Sequence, residues 1–121
     1  MKFPMSTSEV RVVPIEELPW SNIAREFVGA DFGVHVSAIL VEAPPGSSPG
    51  LHRHPYDELF FTIEGRATFR VGEERERDAG PGEIVVAPAG NWHGFVNSGE
   101  STLRLIAIQG SPKYDTEWHR G

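Results

Sequence analysis

The chain has 121 residues, enough for one hydrophobic core and too few for two. Its net charge of −6 argues against nucleic acid or an anionic membrane surface as a partner, because both need clustered Lys and Arg. It has no cysteine, which excludes disulfides, thiolate zinc sites, iron–sulfur clusters and cysteine nucleophiles. The opening MKFPMSTSEV has no apolar run of signal-peptide length, and nothing approaches the roughly 20 apolar residues of a membrane helix. A cytoplasmic protein is expected.

In chain order, residues 1–9 read as a tail, residues 10–110 as the folded domain and residues 111–121 as a polar C-terminal tail anchored by Trp118. VRVVP (10–14) is a short strand candidate and PIEELPW (14–20) has room for one helical turn between prolines. AREFVGADFG (24–33) is a weak strand pattern, and VHVSAILVEA (34–43) a strong one, rich in β-branched residues. PPGSSPG (44–50) is a turn-rich loop. DELFFTIE (57–64), RATFRV (66–71), EIVVAP (83–88), HGFVN (93–97) and TLRLIAIQ (102–109) are strands separated by turn residues. The charged connection 72–82 has room for a short strand around Arg75, and EERER (73–77) reads as a solvated tip. About eight to ten short strands with almost no helix make an all-β sandwich or small barrel.

One stretch stands out against this frame. HRHPYDE (52–58) places His52, His54 and Glu58 within seven residues. A polar surface loop is the plain reading. Three ligands of one metal ion is the other. The three share even parity, so in extended chain they project to one side, although Pro55 interrupts the alternation. His93, at the start of a strand, is the best fourth ligand if its strand neighbours 57–64. Three imidazoles and a carboxylate suit Fe, Mn, Ni, Cu, Co or Zn rather than calcium or magnesium, and leave positions open on an octahedral ion.

The spacing carries further. Gly46 to Gly65 reads G-x5-H-x-H-x3-E-x6-G, and Gly82 to Asn97 reads G-x5-P-x-G-x2-H-x3-N. All ten fixed positions resemble the two motifs of the cupin superfamily, in its small single-domain form. That resemblance implies a jelly-roll β-barrel (a double-stranded β-helix) with His52, His54, Glu58 and His93 binding one divalent transition metal inside it. Gly46, Gly65, Gly82 and Gly90 are expected at turns needing positive φ, Pro88 at a strand end, and Asn97 as a cap on backbone groups.

Around the ligands, Phe60, Thr62, Trp92, Phe95 and Tyr56 are candidate pocket residues, with core packing an equal explanation for the two phenylalanines. Gln109 and Arg104 are further polar candidates. His35 reads as an ordinary strand histidine and His119 as solvated. Because a fold does not settle a function, two readings stand. One is a metalloenzyme of oxygenase, isomerase or cyclase type acting on a small organic molecule. The other is a non-catalytic small-molecule binder or sensor. Leu59, Phe61 and Ile63 form an apolar stripe opposite Glu58, and Val10, Val12 and Val13 could supply an edge strand. A homodimer is expected from these.

Overall fold

Strand-forming runs broken by Gly and Pro give eleven strands and no α-helix among the described residues, 9–120, of the computed structural model. One sheet has the order β1 (Trp20–Ser21), β2 (Ala24–Phe27), β3 (Ser37–Ala43), β10 (Leu103–Gln109), β5 (Glu58–Glu64), β8 (Ile84–Ala87). The facing sheet has the order β11 (Glu117–Trp118), β4 (His52–Arg53), β9 (His93–Asn97), β6 (Ala67–Val71), β7 (Glu76–Ala79). Every pairing is antiparallel. This is the expected all-β jelly roll of double-stranded β-helix type. Two short 3-10 turns, Ile15–Glu17 and Gly29–Phe32, complete it.

Strand alternation decides what faces inward. Along β5, Glu58, Phe60 and Thr62 are buried, and along β10 Leu103, Leu105, Ala107 and Gln109 are buried. The register stacks these residues in layers. Phe60 lies opposite Ala107, and Phe69 opposite Phe95 in the facing sheet. The three phenylalanine rings meet at centroid distances of 5.2, 5.8 and 6.2 Å and plug the middle of the barrel. Glu58 and His93 form the next layer out, each two residues before its phenylalanine. Asn97 closes the other end. Its Nδ2 donates to the Ala43 and Ser101 carbonyls, and its Oδ1 accepts from Gly99 N–H, as a capping residue should.

All four motif glycines have positive φ. At Gly65 a Cβ would also lie 3.1 Å from the Thr102 carbonyl oxygen, so this turn is closed to side chains for two reasons. The sequence reading needs correction at the chain ends. Residues 10–14 are not a strand; Val10 and Val12 are fully exposed. β-branched residues favour strands only where a partner edge is available. The segment expected as a polar tail instead forms β11, which pairs Trp118 with His52 and Glu117 with Arg53.

Outside, the six-stranded sheet carries an apolar band, bordered by Arg25 and the Arg104–Glu42 pair. Its register lines up Val86, Leu59, Ile108, Ala38 and Phe27 in one row, and Ile84, Phe61, Ile106 and Leu40 in the next. Ile84 and Val86 are more than half exposed.

Candidate metal centre

His52, His54, Glu58 and His93 are all buried, and one donor atom from each lies within 4.8 Å of the others. They arrive from two sheets. His52 sits in β4 directly opposite His93 in β9, and His54 follows two residues on. Glu58 opens β5 in the facing sheet. The sequence reading put His93 on a strand beside 57–64, but the neighbours of β5 are β10 and β8. His93 meets Glu58 across the barrel interior instead.

Each imidazole is oriented the same way. Nδ1 of His52 lies 2.8 Å from the Gly50 carbonyl, that of His54 2.9 Å from the Asp115 carbonyl, and that of His93 2.9 Å from the Asn91 carbonyl. A carbonyl oxygen only accepts, so each Nδ1 carries the proton. Each neutral ring then presents a bare Nε2 lone pair to the centre. Glu58 adds a carboxylate: its Oε1 is 2.9 Å from His93 Nε2 and 3.2 Å from His54 Nε2. The His54 Nε2 is buried and makes no hydrogen bond. Convergent buried acceptors of this kind are suited to a cation at their centre. The donor set, three imidazoles and one carboxylate, fits a divalent first-row transition ion.

A side-chain relay holds the second carboxylate oxygen. Gln109 Nε2 donates to Glu58 Oε2 at 3.2 Å, and Tyr56 O–H donates to Gln109 Oε1 at 2.6 Å. The Tyr56 ring stacks on His54 with 11° between planes. Protonation follows burial and pairing. Burial pushes His52 down to about 4, against the opposing pull of the Gly50 carbonyl. At His54 burial also acts downward, but the Glu58 carboxylate and the Asp115 carbonyl outweigh it and the group is raised. Burial acts to raise Glu58, and the adjoining His54 and His93 rings overcome it, leaving the carboxyl lowered.

His52, His54 and Glu58 of the cluster line a cavity of about 280 Å³. Phe60 and Phe95 line this cavity, with Ile39, Val41 and Ala107 beside them. The other pocket candidates lie elsewhere. Thr62 is buried one layer deeper, opposite Leu105. Tyr56 stands behind His54. Trp92 is on the surface, under the Arg53 guanidinium at 4.3 Å and against His119. Arg104 pairs with Glu42 on the outer face, and His35 is exposed. His119 is not simply solvated, since its Nε2 lies 2.7 Å from the Glu73 carboxylate. The sequence reading missed Glu26, Tyr114, Thr116 and Trp118, which all line the cavity. The last three come from the segment read as a tail, where the aromatic residues were the available signal.

Residues 39–109 match the cupin domain family. The chain belongs to the cupin family. Among curated relatives of this cupin, an uncharacterised protein of Bacillus subtilis, YrkC, is 31% identical over 88 residues, covering 68% of this chain and 47% of that one. A gentisate 1,2-dioxygenase of Haloferax is 29% identical over 116 residues, covering 84% of this chain and 30% of that one. The chain thus spans less than half of either protein. A solved double-stranded β-helix protein from Klebsiella pneumoniae superposes with a TM-score of 0.75 at 21% identity, over 93% of this cupin and 100% of that chain. That likeness carries the fold alone.

Proposed function

We propose that this cupin binds one divalent transition metal through His52, His54, Glu58 and His93 and acts, as an oxygenase or an isomerase, on a small organic molecule in the barrel cavity. The observation that supports this most is the convergence of three Nε2 lone pairs and one carboxylate oxygen, each ring fixed by its own backbone carbonyl. A metal bound there supplies a Lewis acid with positions left for a ligand oxygen and, where redox-active, a route for electrons. The chain's own residues do the rest. Gln109 keeps one Glu58 oxygen occupied, so that the other faces the centre. Phe60 and Phe95 provide an apolar wall that excludes water beside the cluster. The similarity to a gentisate dioxygenase supports the oxygenase arm of this reading. A cytoplasmic homodimer belongs to the same proposal, the dimer being supported by the apolar band on the outer sheet face.

Elemental analysis of the protein, purified without a chelating tag, tests the reading beside a His52→Ala, His54→Ala double variant. Near-stoichiometric Fe, Mn, Ni or Cu that disappears in the variant is expected. Zinc alone would favour the isomerase arm. No metal in either protein would sink the catalytic reading and leave a small-molecule binder.

A further inference from the structure

The charged groups on the cavity wall are of one sign apart from the histidines. Among the described residues lining it there is no Lys or Arg. The nearest guanidinium groups by sequence are committed elsewhere. Arg25 lies over the Trp20 ring and donates to the Leu18 carbonyl, and Arg53 pairs with Glu117. Away from the cluster, the charged side chain on the wall is Glu26. It points inward from β2, opposite Ile39 of β3, which is opposite Ala107 of β10, which is opposite Phe60 of β5. Glu26 is therefore three strands from Phe60, roughly 14 Å measured along the curved sheet.

Two of the neutral donors on the wall beside the cluster are engaged as well. The Tyr114 hydroxyl is turned to the Phe27 and Ala38 carbonyls, and the Gln109 amide to Glu58. A carboxylate entering this space would shed its water and meet neutral groups and one like charge. An apolar body would bury against Ile39, Val41, Phe60 and Phe95 at no such cost.

We infer that the cavity selects an uncharged, mainly apolar small molecule carrying oxygen donors at one end, and that Glu26 turns organic anions away. The placing of the oxygen end at the cluster rests on the metal-site reading above; the charge selection does not.

The test compares 1-phenyl-1,2-propanedione with benzoylformate, which share a phenyl dicarbonyl skeleton and differ by a methyl group against a charged oxygen. Binding is measured calorimetrically to metal-free protein and to its Glu26→Gln variant. The expected result is wild-type preference for the dione by about tenfold, with Glu26→Gln tightening benzoylformate by about fivefold and leaving the dione within about twofold. Equal or tighter benzoylformate binding by the wild type, an equal effect of Glu26→Gln on both compounds, or binding of neither would overturn the charge selection. In Co(II)-loaded protein, the dione is expected to shift the visible cobalt absorption. An absorption unmoved by bound dione overturns the placing of the oxygen end. Failure to load cobalt at all removes the metal reading, while the metal-free comparison still decides the charge selection.

Discussion

Gln109 connects two things that the sequence does not place together, the Tyr56 hydroxyl and the Glu58 carboxylate. Gln109→Leu strips the buried Glu58 Oε2 of its partner and removes the acceptor of the Tyr56 hydroxyl. Metal affinity measured by competition with a chromogenic chelator should fall about ten- to a hundredfold, the usual range for losing a group that orients a ligand. An unchanged affinity would mean that packing alone sets Glu58. The histidines add a pH signature. Folded His52 stays neutral down to about pH 4, whereas in the unfolded chain it protonates near 6.5. Between those values the unfolded state binds more protons, so this contribution is complete above about 6.5 and lost as pH falls toward 4. The raised His54 acts in the opposite sense: its contribution is complete below its ordinary value and fades as pH rises through the folded one. The lowered Glu58 contributes above its ordinary range and loses that contribution on further acidification. Metal-free protein should therefore have its highest thermal midpoint near pH 6.5, measured by circular dichroism after chelator treatment. A midpoint flat from pH 4 to 6.5 would contradict the burial of a neutral His52.

At the scale of elements, the segment after Gly110 is part of the barrel. β11 covers β4, Trp118 packs on His52 at 4.9 Å, and the Asp115 carbonyl orients His54. Truncation after Ser111 should lower the thermal midpoint by at least about 5 °C. It should also weaken metal binding, because the His54 Nδ1 then loses its partner. A truncated chain with full affinity would show that His54 needs no such support. Long strands were legible in the sequence because alternation over five to seven residues has a period to read, as in 58–64 and 103–109. β1, β4 and β11 have two residues each, too few for any period, and exist because a neighbouring edge captures them. The cluster was legible because its ten motif positions sit at fixed spacings in the chain. The cavity wall was not, since Glu26, Tyr114 and Trp118 reach it from strands and loops that only the sheet order brings together.

For the whole molecule, the outer face of the six-stranded sheet is the feature that a single barrel leaves unexplained. Two rows of aliphatic and aromatic residues cross β8, β5, β10 and β3 without a covering layer among the described residues. A contiguous face of this kind is suited to association. The homodimer of the proposal should use it, in place of the N-terminal edge strand expected from Val10, Val12 and Val13. Ile84→Lys with Val86→Lys should convert the dimer to monomer in sedimentation velocity at micromolar concentration, leaving metal content unchanged. A wild-type monomer under those conditions would refute the dimer, and a dimeric double variant would move the interface elsewhere.

The backbone carbonyls that grip the three imidazoles carry a last consequence. Gly50, Asn91 and Asp115 hold the histidines with atoms that every amino acid possesses. At Asn91 and Asp115 the aim of the rings is thus insulated from point substitution, so long as the chain path is kept; Gly50, at positive φ, is the exception. Asp115→Ala should leave metal affinity within about twofold, in contrast to the side-chain relay at Gln109. A lineage built on this barrel is free to rewrite the wall that meets the ligand while inheriting the centre intact.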